Sequence, residues 1–141
     1  MPVIQGMRSE DLLRRLHVQA VEVLALVGSV HHRVESQSTF EQICRCAPSA
    51  RDNYRSACRG RSRKEFVSKL GVALDEADET VGWLEVMRDA HLAPSERITP
   101  LLREAIELRA ILATSYKTSR TNLRLFEEKR KREQRKRRPN Q

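Results

Sequence analysis

The sequence has few of the residues that build sheets, disulfide frameworks or membrane spans. Its 141 residues include 4% aromatic residues, 5 glycines and 5 prolines, and no run alternates β-branched with polar residues. No apolar run approaches the roughly 18 residues that a membrane helix requires. This scarcity predicts an all-α protein with no membrane partner.

Cysteine is also scarce, which bears on the redox compartment. The three residues Cys44, Cys46 and Cys58 cannot all pair within one chain, so we expect reduced thiols rather than a disulfide framework. The first residues, MPVIQGMRSEDLL, lack a basic segment followed by an apolar one. We therefore expect a cytoplasmic protein.

Positive charge is abundant, and it is concentrated at one end of the chain. The net charge is +8; residues 123–141 hold 9 basic and 3 acidic residues, which leaves 18 basic and 16 acidic residues in 1–122. A basic tail on a nearly neutral domain indicates attachment to nucleic acid or to an anionic surface. The alternative is a charge run that only keeps the protein soluble.

The clearest helical pattern lies in residues 62–91. Apolar or small residues recur there at steps of four and three: Phe66, Leu70, Ala73, Ala77, Thr80, Leu84 and Met87. Ser62 and Glu65 form a capping-box pattern before this run, so they predict its start independently. Gly71 and Gly82 interrupt the helix on a shared face, either because another subunit approaches closely or by chance.

Similar patterns predict three further helices, over about 9–34, 39–60 and 96–126. Ser9 is the expected N-cap of the first. Pro48 lies inside the second, where it predicts a kink or a later start. Either Thr99 or Ser95 caps the fourth, with Pro100 near its start. Short loops between long helices predict an antiparallel, up-down-up-down four-helix bundle over residues 1–126, followed by a flexible basic tail over 127–141.

One stretch resembles a known family. Between residues 50 and 84, polar and apolar positions agree across a helix, a turn and the next helix: Asn53, Tyr54, Arg55, Ser56, Ala57, Cys58, Arg59, Arg61, Ser62, Glu65, Phe66, Lys69, Leu70, Ala73, Leu74, Asp75, Glu76, Ala77, Asp78, Glu79, Thr80, Trp83 and Leu84. The pattern is similar to that of the four-helix-bundle proteins encoded in 23S rRNA intervening sequences.

The resemblance implies a cytoplasmic bundle that forms homo-oligomers, with a ring of five, a homopentamer, as the expected assembly. A related branch contains accessory proteins of diversity-generating retroelements. Those proteins use basic surfaces to engage RNA and a reverse transcriptase. The partners implied are therefore nucleic acid, RNA rather than DNA, and a reverse transcriptase or another ribonucleoprotein component.

Antiparallel packing predicts where the basic residues meet. The first and third helices start, and the second and fourth end, at one pole of the bundle. The residues expected to bind phosphates at this basic pole and in the tail are Arg55, Arg59, Arg61, Arg63, Lys64, Lys117, Arg120, Arg124, Lys129, Arg130, Lys131, Arg132, Arg135, Lys136, Arg137 and Arg138. Arg8, Arg14 and Arg15 are expected at the same pole. Because the tail has no aromatic residue, we expect phosphate contact with little sequence preference.

Polar residues also fall near the seams of the predicted helices. Asn53, Glu76, Glu79 and Asn122 are expected in a structural polar network, in which Arg55 or Arg59 pairs with a carboxylate of the third helix. The sharper alternative is a solvated channel or a phosphate pocket. Glu76 and Glu79 lie too close along one helix for a glycosidase-like pair without a cleft.

No pattern in the sequence indicates catalysis. Gly-rich phosphate loops and nucleophile motifs are missing, and the histidines His31, His32 and His91 lack the spacing of di-iron bundles. We therefore expect no enzyme activity, no cofactor and no metal. The prediction is a non-enzymatic, oligomeric bundle that binds RNA or DNA through its basic pole and tail. The alternative is a protein-interaction scaffold without a direct nucleic-acid role.

Overall fold

The computed structural model describes residues 7–138, which form four α-helices and one short 3-10 helix. The helices are α1 (Ser9–Ser29), α2 (Gln37–Cys58), α3 (Arg63–Asp89) and α4 (Ser95–Arg137), and the 3-10 helix covers Val34–Ser36. In the part of the chain described, no residue is in a strand. The all-α prediction is confirmed.

The helices form a four-membered bundle in which α1 and α3 lie diagonally opposite. Each of these two helices packs against both α2 and α4, and the pairs that include α3 have the most extensive contacts. Two buried clusters fill the interior. Leu26, Ile43, Leu84 and Met87 belong to the cluster near the α1–α2 loop, and Leu12, Leu70 and Leu112 belong to the cluster toward the start of α3.

The predicted seams of α3 and α4 account for most of this core. In α3, Leu70, Ala73, Ala77, Thr80, Leu84 and Met87 are buried, whereas Phe66 is only partly buried. In α4 the seam is buried as far as Ser115, and Asn122 and Phe126 are exposed. The core therefore ends about three turns before the predicted end of α4.

Helix α1 is shorter than the predicted span of 9–34. It ends at Ser29, where the Ser29 hydroxyl donates to the carbonyl of Leu26 at 2.8 Å and the His32 ring contacts the carbonyl of Val27 at 2.8 Å. These contacts satisfy carbonyls that a further turn would otherwise use. The predicted N-cap is also wrong, because Arg8 occupies that position and Ser9 is buried inside the helix.

Helix α2 continues through Pro48, so the alternative start at this residue is wrong. Proline cannot donate to the carbonyl four residues earlier. The helix tolerates this loss since Ile43, Cys46, Ala47 and Ala50 on either side are buried against the rest of the bundle.

Helix α4 differs most from prediction. It begins at Ser95, so Pro100 lies within the helix, and it ends at Arg137 rather than near residue 126. Residues 127–137 of the tail that we expected to be flexible thus continue the helix, and residues 139–141 lie outside the described residues. Propagating an existing helix needs no new nucleus, and Lys, Arg, Glu and Gln all favour helix. We call residues 127–137 the α4 extension.

Candidate nucleic-acid interface

One pole of the bundle brings together the helix ends that antiparallel packing predicted. The start of α1, the end of α2, the start of α3 and the part of α4 beyond Ser115 surround a cavity of about 470 Å³. Its walls are formed by Ser9, Ala57, Cys58, Gly60, Ser62, Arg63, Phe66, Val67, Ser119, Asn122 and Leu123. We call this the polar-end cavity.

The start of α3 is fixed by the predicted cap. The Ser62 hydroxyl accepts a hydrogen bond from the backbone N–H of Glu65 at 3.1 Å. The Glu65 carboxylate accepts one from the backbone N–H of Arg61 at 3.1 Å, one residue before the position that a standard capping box uses. Two backbone donors are thereby satisfied, and Arg61 and Arg63 are held on either side of Ser62.

A cation–π contact joins this turn to α4. The guanidinium carbon of Arg63 lies 4.7 Å from the centre of the Phe126 ring. Phe126 is 43% exposed and lies outside the buried core, and its ring contacts the Arg63 cation. The contact places Arg63 between the polar-end cavity and the α4 extension.

The residues predicted to bind phosphate are all exposed. Arg55 is in the last turns of α2, Arg59 is its C-cap, Arg61 is in the following linker, and Lys64 is in the first turn of α3. The remaining members project from α4 or its C-cap: Lys117, Arg120, Arg124, Lys129, Arg130, Lys131, Arg132, Arg135, Lys136, Arg137 and Arg138.

None of these basic residues forms a salt bridge with a carboxylate between residues 7 and 138. Several arginines elsewhere in the bundle are paired, Arg45 with Glu76 and Glu79, Arg88 with Asp89, and Arg109 with Asp78, whereas Arg97 and Arg103 form no salt bridge within residues 7–138. Positive charge at the pole and in the extension is therefore available to an external anion.

Two arginines expected at the pole are engaged otherwise. Arg14 pairs with Asp11 on its own helix at 2.7 Å, and Arg15 pairs with Glu104 and, at 3.0 Å, with Glu107. The hydrogen bond to Glu104 is the main reason why the pKa of Arg15 is raised. Glu104 thereby joins α4 to α1.

The predicted polar network does not assemble among the described residues. The Asn53 amide donates to the carbonyl of Ser49 in its own helix at 2.9 Å, and Asn122 lines the polar-end cavity. Glu76 and Glu79 do bind an arginine of α2, but it is Arg45 rather than Arg55 or Arg59.

Arg45 is thus the residue that the sequence reading missed. Its two terminal nitrogens lie 3.1 Å from Glu76 and 2.5 Å from Glu79. The hydrogen bond to Glu79 is the main reason why the Arg45 pKa is raised. The neighbouring Cys46 is buried and receives a hydrogen bond from Thr80 of α3 at 3.3 Å, so Arg45 lies beside the contact between α2 and α3.

The glycines of α3 have different surroundings. A Cβ at Gly71 would lie 3.0 Å from the ring of Tyr116, so the lack of a side chain at this position leaves room for that ring. A Cβ at Gly82 would meet nothing within 4 Å. Close approach within the chain therefore accounts for Gly71.

Cys58 is the thiol in the polar-end cavity. Burial raises its pKa, and the hydrogen bond with Tyr54 partly offsets that effect. Burial likewise raises the pKa of Tyr54. Both groups are therefore neutral near pH 7, and the cavity wall between α2 and α3 carries no negative charge from them.

No three His, Cys, Asp or Glu side chains are grouped as metal ligands within residues 7–138. None of the helices in this range is long and apolar enough to cross a membrane.

Comparison with known proteins gives a family and similar solved structures. Residues 10–114 match the family model described as 23S rRNA-intervening sequence protein. A solved structure of a protein of unknown function from the S23 ribosomal protein family of Bacteroides thetaiotaomicron is similar, with a TM-score of 0.71 and 26% identity. The alignment covers 79% of this chain and 99% of that one. No curated protein matches the sequence.

Proposed function

Because the chain belongs to the family of 23S rRNA-intervening sequence proteins, we propose that it is a non-enzymatic protein that binds the backbone of nucleic acid, RNA in preference to DNA. The binding surface is the basic pole of the bundle together with the α4 extension. A homopentamer that serves a reverse transcriptase or another ribonucleoprotein is the assembly we propose for it.

The observation that carries this proposal is the distribution of paired and unpaired cations. Seven arginines between residues 14 and 109 have carboxylate partners, whereas Arg61, Arg63, Lys64 and the basic residues of the extension have none within the described range. Clustered exposed cations repel one another; phosphates relieve that repulsion, and the cations in turn release counterions condensed on the nucleic acid.

The geometry favours a continuous surface. Past Phe126, α4 continues to Arg137, a distance of roughly 16 Å at 1.5 Å per residue. The segment Lys129–Arg138 has 8 basic residues in 10, and all are exposed. Since the contact between Arg63 and Phe126 joins the extension to the start of α3, one strand could follow both.

The test is a titration of labelled RNA and DNA oligonucleotides at several salt concentrations. We expect the affinity to fall linearly on a logarithmic scale as salt rises from 50 to 200 mM, by several powers of ten if about six phosphates are contacted. An affinity independent of salt would exclude phosphate binding. Removing residues 129–141 should weaken binding and leave the thermal unfolding of the bundle unchanged.

A second function, protein association, is favoured by a different surface. Val18, Val21 and Leu24 on α1 are 45%, 52% and 47% exposed and lie within two turns of the helix. A row of exposed apolar side chains is typical of an interface. This surface would serve either the homo-oligomer or a scaffold without nucleic-acid binding.

The mass of the protein in solution tests this second surface. Val21→Glu would place a charge in the apolar row and should lower the mass measured by light scattering to that of a smaller assembly. Val34→Glu is the matched control, because Val34 is 91% exposed and lies outside α1. An unchanged mass for Val21→Glu would show that α1 is not an interface.

A further inference from the structure

We propose that the polar-end cavity accepts one unpaired base of a bound strand, so that the protein prefers single-stranded nucleic acid to a duplex. The inference rests on the proposed function, which supplies the strand. It goes beyond that function because phosphate contact alone gives no reason to distinguish an unpaired base from a paired one.

The cavity has the size and lining of a small-molecule site. Its volume of about 470 Å³ lies within the range of roughly 300 to 1,000 Å³ for such sites. Phe66, Val67 and Leu123 supply apolar walls. Phe66 is only partly buried, so an aromatic ring is accessible at the pole although the extension has none. A planar base could stack or pack against these walls.

Polar groups on the α4 side of the cavity match the edge of a base. The Asn122 side chain can both donate and accept hydrogen bonds, and the Ser119 hydroxyl can do the same. Neither side chain has a hydrogen-bond partner among residues 7–138. On the opposite wall Cys58 is a neutral, weak donor, since burial raises its pKa.

The surrounding cations place the phosphates beside the cavity. Arg63 lines it, and Arg120 and Arg124 are exposed positions of α4 that each follow a lining residue, Ser119 and Leu123. A strand whose phosphates meet Arg63 passes the opening, so that one of its bases can enter the cavity. A paired base would first have to leave its stack, which has an energetic cost that an unpaired base avoids.

The first experiment compares a 12-nucleotide single strand with a 12-base-pair duplex at one salt concentration. Ser119→Leu places a larger, apolar side chain in the polar-end cavity. We expect it to weaken single-strand binding by about 5- to 10-fold, the lower end of what stacking of one base contributes, and to leave duplex binding unchanged. The matched control is Thr121→Leu, an exposed position on the same helix, which should change neither. Thermal unfolding of both variants establishes that they fold.

The second experiment tests directly whether a base enters the polar-end cavity. Cys58 lines the cavity, Cys44 is a partly buried thiol elsewhere, and Cys46 is buried. At pH 8.5, bound single strand should slow alkylation of Cys58 and leave that of Cys44 unchanged, as measured by mass spectrometry of peptides. Inorganic phosphate at the same ionic strength should protect neither thiol.

The outcomes separate this inference from the proposed function. If no oligonucleotide binds at low salt, the proposed function itself is wrong. If single strands and duplexes bind equally and Ser119→Leu affects neither, phosphate binding stands and the base site is wrong. Unchanged alkylation of Cys58 in the presence of saturating single strand would also overturn the base site.

Discussion

A fourfold variant, Arg135→Gln, Lys136→Gln, Arg137→Gln and Arg138→Gln, removes half of the positive charges in Lys129–Arg138. Glutamine favours helix about as well as arginine and lysine do, so the α4 extension should keep its conformation. The variant therefore tests charge separately from structure. Its expected effect is a weaker dependence of nucleic-acid affinity on salt.

The magnitude follows from the number of phosphates lost. Each phosphate contact contributes about 0.7 to the logarithmic salt slope of a single strand, so four contacts contribute about 2.8. The basic residues point to all sides of the extension, because they occupy consecutive positions of a helix. If one strand meets about half of them, the slope falls by about 1.4.

These slopes convert into affinities that a titration resolves. Between 50 and 200 mM salt, the loss of affinity should be smaller in the variant by about 7-fold for two lost contacts and about 50-fold for four. Fluorescence anisotropy of a labelled RNA at four salt concentrations is sufficient. Circular dichroism would establish that the helical content is retained.

The matched control removes four charges from the opposite end of the bundle. This control combines Arg33→Gln, Arg88→Gln, Arg97→Gln and Arg103→Gln. It removes four of the positive charges and lowers the net charge from +8 to +4, as the extension variant does. All four positions are exposed. The reasoning is refuted if the extension variant keeps the wild-type slope, or if the control lowers the slope by as much, because the charge would then act without regard to position.

Three further predictions concern stability. Ser62→Ala should lower the free energy of unfolding by about 1 kcal/mol, because it removes the cap of α3. Gly82→Ala should raise it by about 0.4 to 1 kcal/mol, and Gly71→Ala should raise it less or lower it, because the added Cβ lies 3.0 Å from Tyr116. Stability should fall as the pH rises above the usual tyrosine pKa of 10.0, because burial raises the pKa of Tyr54 and only the unfolded chain releases that proton. Urea titrations measure all three.

Each prediction has an outcome that would contradict it. An unchanged free energy for Ser62→Ala would mean that water replaces the hydroxyl. A gain at Gly71→Ala equal to that at Gly82→Ala would mean that the Tyr116 ring moves at no cost. For Tyr54, the test is Tyr54→Phe, which should have a smaller loss of stability between pH 9 and 11; the same loss would assign the effect to other groups.

The sequence predicted the buried parts of the fold well, because residues buried along one face of a helix recur every three or four positions. Leu70, Ala77 and Leu84 recur at helical spacing and all are buried in the observed core. Antiparallel packing then placed Ser62 and Asn122 at the same pole, as the lining of the polar-end cavity shows. These inferences needed only local pattern and chain connectivity.

The features that the sequence did not predict are those that depend on contacts between distant residues or on contact with solvent. The end of α1 depends on His32 reaching the carbonyl of Val27, and the ion pairs of Arg45 depend on the register between α2 and α3. The α4 extension has no core, so apolar periodicity could not reveal that it is helical. Its conformation follows from propensity and from propagation of an existing helix.

The extension also explains why the basic pole is better suited to binding than to stabilising the bundle. Within residues 7–138, acidic groups such as Asp78, Glu79 and Glu104 stabilise contacts between helices by pairing with arginines. Glu127, Glu128 and Glu133 are exposed on the extension and make no salt bridge there. Like charges are therefore left close together on the α4 extension, which buries no apolar surface, and their repulsion disfavours the free protein. Phosphates remove this repulsion, so the same feature that weakens the extension alone strengthens its complex with nucleic acid.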